Sequence, residues 1–374
     1  MSTQFNPTPQ ENTSYTEVAD GDNLIAASVT VAFEGLENHG AWLGQLLKSV
    51  PVLNWGAAVA PPTPASMKRG VYSPSNGVWF GVGETGMDYC IASGDSGATW
   101  TAITIAGGSG LGTFDVAADA SGNIAITNAS SRTVYYRTPA NVWTVSAAQL
   151  GATGGAQPYI AFDTTNSKWV AAFRDGATGI KVYVSTNGTT WAASAASAAT
   201  WAASTDVPKM GAGAGAMLVV HGSANSYYMA VGPTTGASWT ETNITTTITP
   251  TSFTRPVWDA YNAVWVVTFA SASQSEVWTS SNGIAWARKA LWTVTAMQTI
   301  APLGNGSLLL AIDTAGISYY SLDAGVTWRL ANAPLFPSAT ATVLAAGGGM
   351  FMAYESTITI KPSLRLGPGP VVTP

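Results

Sequence analysis

Tryptophan returns along this chain with a period that few folds can accommodate: Trp55, Trp100, Trp143, Trp191, Trp239, Trp286 and Trp328 stand 45, 43, 48, 48, 47 and 42 residues apart. Self-similarity at that length means stacked copies of one supersecondary unit, none of which can bury its apolar face alone. The text before the tryptophans repeats too. It reads SGDSGATW over 93–100, STNGTTW over 185–191, SSNGIAW over 280–286 and SLDAGVTW over 321–328, with degenerate copies RTPANVW ending at Trp143 and PTTGASW ending at Trp239. About twenty residues earlier in each unit, a Gly/Asn turn leads into an apolar run. That marker occurs seven times, at Trp79, Ile124, Trp169, Met217, Trp265, Leu308 and Phe351.

Each unit therefore reads as a strand, a tight turn, an apolar strand, a loop, an alternating strand (DYCIAS, IKVYVS, EVWTSS, ISYYSL), a turn and a short strand led by tryptophan. Four strands in about forty-five residues is the pattern of a β-propeller blade. The last unit offers three strands, near 342–345, 350–355 and 357–361, and no closing tryptophan strand, whereas Trp55 has no three strands before it. If the Trp55 strand completes the last blade, the ring closes without an open sheet edge. The expectation is an all-β, seven-bladed propeller, with six to eight blades compatible with the spacing. It divides the chain into an N-terminal arm at 1–49, a propeller at 50–365 and an extended tail at 366–374.

The turn text resembles the Asp-box, or bacterial neuraminidase repeat, over roughly residues 66–365. Ser-x-Asp-x-Gly-x-Thr-Trp is complete at Ser93, Asp95, Gly97 and Trp100 and at Ser321, Asp323, Gly325 and Trp328; shorter copies carry Asn187 with Trp191 and Asn282 with Trp286. The resemblance implies a structural role: acidic or amide side chains bond turn amides, glycine supplies positive φ, and tryptophan packs between sheets. The family includes sialidases, which implies a test for three arginines gripping a carboxylate, a Tyr nucleophile assisted by Glu, and an acid Asp. Arg69, Arg174 and Arg255 with Glu84 imitate that set loosely. Known sialidases resemble six-bladed rings with an Arg-Ile-Pro motif near the start; this chain has none, and FTRPVW at Arg255 is a distant echo.

Charge narrows the function classes. Only 9% of residues are charged, against about 25% in ordinary proteins, and the net charge is −5. No basic face invites nucleic acid or an anionic membrane. One cysteine, Cys90, cannot form an internal disulfide, and two histidines, His39 and His221, are too few for a zinc cluster. No cofactor or metal is expected, and no apolar run has the length of a membrane helix. The first twenty-two residues are polar and acidic, without the layout of a secretory signal. Residues 23–33 alternate as a strand would, and 40–50 place Leu43, Leu46, Leu47 and Val50 on one helical face, giving a segment able to dock on its own ring or on another subunit.

Repeat phase separates turn residues from candidate site residues. Ser73, Asp163 and Asp259 share one phase, six residues before a second-strand tryptophan, and read as turn residues. GVGETG at 81–86 matches G-x-G-x-x-G but runs into a strand, so a nucleotide site is not expected. Arg69 and Arg255 lie at the start of two innermost strands, while Glu84, Arg174 and Asp313 lie five residues after second-strand markers. Those positions share one propeller face, so the five charges are the candidate ligand-binding set at one mouth of the central channel.

Low charge, strands rich in Ala, Thr, Ser and Gly, and the docking-type N-terminus resemble structural proteins of tailed bacteriophages. The resemblance implies a non-catalytic virion component, a tail, fibre or decoration propeller acting as a rigid protein- or glycan-binding disk. Its partners would be other virion proteins, engaged through residues 1–50 and the rim, other copies of the chain, and host-surface glycan. A sialidase-like glycoside hydrolase and a bacterial extracellular glycan-binding propeller are the alternatives.

Overall fold

The computed structural model describes residues 55–363 apart from 61, 63–66, 84–88, 107–111, 148, 151–157, 175–179, 195–208, 224–225, 235–237, 293–295, 304–307, 333–341 and 356–359. The chain divides into two units, 1–50 and 51–374. The expected N-terminal strand and helix and the C-terminal tail lie outside the described residues.

In the second unit, seven small antiparallel sheets succeed one another along the chain, each an up-and-down meander of consecutive strands. The innermost strands are Met67–Ser73, Thr113–Ala118, Tyr159–Asp163, Lys209–Gly213, the pair Ser252–Phe253 and Val257–Asp259, Met297–Pro302, and Thr342–Gly347. Each contacts the inner strand of the next blade, and the last contacts the first. The protein is a seven-bladed β-propeller. Closure is made as the sequence requires: Gly56 N–H donates to Pro362 O at 2.8 Å, and Val59 and Ile360 exchange backbone hydrogen bonds of 2.9 Å, so residues 55–59 edge the three strands of the seventh blade.

The core is divided by the blades. Among the described residues, seven apolar clusters fall one to each interblade seam. The repeat tryptophans reach the seam toward the preceding blade: Trp100 joins the cluster between blades seven and one, Trp191 that between two and three, Trp328 that between five and six, and Trp55 that between six and seven. A blade cannot bury its outer face alone, which is why the tryptophan must recur once per unit.

The turn before each tryptophan is built by side chains. In the first blade Ser93 Oγ accepts from Gly97 N–H at 2.8 Å, Asp95 Oδ1 accepts from Thr99 N–H at 2.9 Å, and Trp100 Nε1–H donates to Gly97 O at 3.2 Å. The same three bonds recur with Ser185, Asn187 and Trp191, with Ser280, Asn282 and Trp286, and with Ser321, Asp323 and Trp328. The hydroxyl and amide of Thr99, with Ser93, hold the Asp95 carboxyl down to about 2. Asp163 and Asp259 are the turn residues their phase implies. Asp259 accepts from the amides of Tyr261 and Asn262, and Asp163 from those of Thr165 and, in the next blade, Gly215.

Candidate functional site: the channel mouth

The inner strands are irregular where they begin. Register shifts fall between Met67 and Arg69, between Thr113 and Asp115, and between Met297 and Thr299. In the fifth blade the strand is interrupted between Phe253 and Val257. A bulge bends its strand and re-aims the adjoining side chain. Val82, Thr127, Ala172, Val220 and Ile312 occupy the same level of successive second strands, and the residues paired with them are Arg69, Asp115, Tyr159, Lys209 and Thr299. The fifth blade supplies Thr254, bonded to Thr268, and then Arg255. One level of the ring thus gathers two arginines, a lysine, a carboxylate and a phenol.

These side chains are tied together. Asp115 is fully buried and accepts from its neighbour Val116 N–H at 3.0 Å and, across the seam, from Ile160 N–H at 2.9 Å. Arg255 Nη1 stands 3.1 Å from its Oδ2, and Arg69 Nε 3.8 Å from its Oδ1. Arg255 also donates through Nε to Met210 O and through Nη2 to Ile160 O, both at 2.6 Å. A guanidinium of the fifth blade is therefore anchored on the second, third and fourth. Both arginines lie over the Tyr159 ring, at 5.5 and 5.9 Å from its centroid, and Arg69 Nη2 donates to the Tyr159 hydroxyl at 3.3 Å. Burial pushes the Tyr159 hydroxyl above the ordinary phenol range, against the pull of Arg69. Lys209 donates to Phe253 O and sits 5.1 Å from that ring's centroid.

A cavity of about 690 Å³ opens at this level. Side chains two apart on a strand share a face, and the lining includes five such pairs, Arg69 with Val71, Tyr159 with Ala161, Lys209 with Gly211, Arg255 with Val257, and Thr299 with Ala301, together with residues between them such as Gly70, Pro256 and Ile300. The wall has a polar tier and, about 6.6 Å along the strands, a tier of small apolar residues. Among the described lining residues every charged group is a cation, Arg69, Lys209 or Arg255. The Asp115 carboxylate lies behind them and fixes two of them in place.

Of the five candidate charges, Arg69 and Arg255 are brought together. Glu84 and the Arg174 side chain lie outside the described residues; the backbone of Arg174 ends a strand, paired with Ile180. Asp313 is placed differently from the expectation of a shared mouth. It is fully buried, and its carboxylate turns into its own hairpin, accepting from the amides of Ala315 and Ile317 at 2.9 Å and from the Tyr319 hydroxyl at 3.2 Å. Burial, followed by that carboxylate, pushes Tyr319 up to about 12. Asp115, Tyr159 and Lys209 belong to the site without having been singled out by sequence. Gly81 lies inside the strand Val78–Gly83, where no helix opens. His221 is buried on Ala216–Ser223, 3.1 Å from Glu241 and stacked on Tyr228 at 5.4 Å, a pair within the fourth blade. Among the described residues no cluster of His, Cys, Asp and Glu could hold a metal ion.

No protein-family model matches the chain, and no curated protein does. Solved structures do. YCF48 from Cyanidioschyzon merolae superposes with a TM-score of 0.59 at 14% identity, over 82% of this chain and 98% of that one. YCF48 bound to D1 peptide gives 0.57 at 15% identity over 82% and 94%. Virginiamycin B lyase from Staphylococcus aureus gives 0.63 at 11% identity over 82% and 98%. At such identities the likeness is one of fold.

Proposed function

We propose that this chain is a non-catalytic binding propeller, a structural or host-attachment component of a bacteriophage virion, and that the cationic channel mouth is its recognition face. One observation carries the reading: inner strands of five blades converge there, and Asp115 holds Arg69 and Arg255 in fixed positions beside an open cavity. Preorganised cations favour binding because little side-chain entropy is lost on contact. The virion setting rests on the composition and on the docking-type N-terminus. Among the fold neighbours, YCF48 bound to D1 peptide illustrates a ring of this kind engaging a peptide. Virginiamycin B lyase illustrates that such a ring can also carry chemistry.

The geometry favours binding over glycoside hydrolysis for a specific reason. A Tyr nucleophile has to be activated by a base and reachable, whereas Tyr159 is 1% exposed and its hydroxyl accepts a hydrogen bond from Arg69. The test is a panel of sialosides, glucans and acidic peptides, with calorimetry and product analysis on the same samples. Saturable binding without product, weakened by Arg69→Met, is the expected result. Turnover of any panel member would overturn the reading. Loss of particle incorporation on deleting residues 1–49, with the Trp55 strand retained, is expected of a virion part; unaffected incorporation would contradict it.

A further inference from the structure

The two tiers of the channel wall specify a ligand more closely than charge alone does. At the mouth stand Arg69, Lys209 and Arg255; one step along the strands the wall includes Val71, Ala161, Gly211, Val257 and Ala301. The upper tier can neutralise an anionic group. The lower tier adds apolar surface without a charged group, in a cavity that Trp258 and Gln298 also line. A free inorganic anion would use the first tier and waste the second, and a neutral sugar would use neither well.

The first tier also has a preference among anions. The guanidinium of Arg255 already engages a carboxylate, Asp115, with Nη1 3.2 Å from one oxygen and 3.1 Å from the other. Its Nε–H and one Nη2–H are taken by the carbonyls of Met210 and Ile160, which fixes the plane of the guanidinium and leaves one N–H on each Nη for a ligand. The planar fork of arginine matches a planar carboxylate. Arg69 is held over the Tyr159 ring, which orients its guanidinium as well.

We propose that the channel mouth takes the carboxylate end of an amphipathic chain: the carboxylate between Arg69, Lys209 and Arg255, and the apolar carbons against the small-residue tier. A fatty-acid-type carboxylate and the free C-terminus of a peptide with small apolar side chains share this chemistry. The inference rests on the mouth being a ligand site and deepens it by naming the ligand class.

Calorimetry on the full chain with acetate, hexanoate, octanoate, octanamide, inorganic phosphate, and N-acetyl-Ala-Ala-Val as the free acid and as the amide tests this. Binding of one carboxylate per chain is expected, tightening by about threefold per methylene from acetate upward. The amides should bind at least about tenfold more weakly. Octanoate and the tripeptide acid separate the two sources, and preference for either supports the proposal. Lys209→Met should weaken carboxylate binding about tenfold or more, with Lys209→Arg restoring most of it. Val71→Phe, which narrows the lower tier, should remove the chain-length gain, weakening octanoate far more than acetate. Unchanged unfolding midpoints of the variants would confirm that their fold is retained. Phosphate or acetate binding as tightly as octanoate would overturn the proposal and leave the mouth as an anion site. Failure of every anion to bind would overturn both the proposal and the recognition reading.

Discussion

Replacing Gly188 by alanine should destabilise the ring by about 2–4 kcal/mol, and two companion substitutions separate the causes. Gly188 has φ +73°, and a β-carbon there would meet Tyr136 Cδ2 at 2.2 Å and Cε2 at 2.5 Å. A left-handed backbone costs an L-residue roughly 1–2 kcal/mol, and overpacking typically adds about 1–3 kcal/mol. The Tyr136 ring has little freedom to retreat, since it stands edge-on to the buried Trp169 with centroids 5.9 Å apart. Reduced freedom of the unfolded chain offsets about 0.4–1 kcal/mol. Gly325 has φ +85° but its nearest neighbour would be Val277 Cγ1 at 3.1 Å, so Gly325→Ala keeps the backbone cost and loses most of the clash, leaving about 1 kcal/mol. Gly94 has nothing within 4 Å of an added β-carbon; Gly94→Ala should be neutral or slightly stabilising. Urea unfolding monitored by tryptophan fluorescence, with one common m-value, gives all three. Equal midpoints for Gly188→Ala and Gly94→Ala, or a larger loss at Gly325 than at Gly188, would refute the idea that these turns are clamped against the preceding blade.

Asp115→Ala strands Arg69 and Arg255 over Tyr159 and should cost about 3 kcal/mol, the low end for breaking a buried pair because the Arg255 side chain is 27% exposed; a urea midpoint within about 0.5 kcal/mol of wild type would mean that the network is incidental. Burial holds His221 below its ordinary value of 6.5 in the folded chain despite Glu241, so the unfolded state binds the extra proton. His221's contribution is therefore intact above that value and lost as pH falls through it, by at most about 1.4 kcal/mol per pH unit. Stability between pH 7 and 5.5 should decline in wild type and flatten in His221→Phe, and parallel profiles would contradict the assignment. Burial pushes the Cys90 thiol up to about 12, and the native protein should resist a thiol reagent at pH 8 until urea unfolds it; labelling within minutes in buffer would show that the seam between blades one and two opens.

Much of the ring could be read from the chain because each blade repeats the same solution to the same burial problem. Seven tryptophans meant seven seams, and Trp55, isolated ahead of the first full unit, could serve only by completing the last. The turn side chains were legible because their bonding is local, spanning no more than five residues. In the sixth blade the phase drifted slightly: the sequence marker falls on Leu308, whereas Leu309 is the residue paired with Ser321, as Trp79 is with Ser93.

The channel mouth was harder to read, because it is built where the repeat is broken. Arg69 and Arg255 stand ten residues before a second-strand tryptophan, so repeat phase marks them. Tyr159 stands at the same distance from Trp169 but reads as an apolar strand residue, and its phenol acquires meaning only beside two guanidinium groups. Asp115 lies nine residues before Ile124 and Lys209 eight before Met217. The hairpins are shorter, Ala118 pairing with Ile124 and Ala212 with Met217 where Tyr72 pairs with Trp79, which displaces both residues from the count and returns them to the same level in space. Asp313 shows the converse: its distance from the marker puts it near the mouth, and its carboxylate turns toward donors of its own hairpin, the amides of Ala315 and Ile317 and the Tyr319 hydroxyl. Position in a repeat therefore predicts the level a residue occupies on the ring. The direction of its side chain is decided by the nearest unsatisfied donors and by whether the strand bulges beside it.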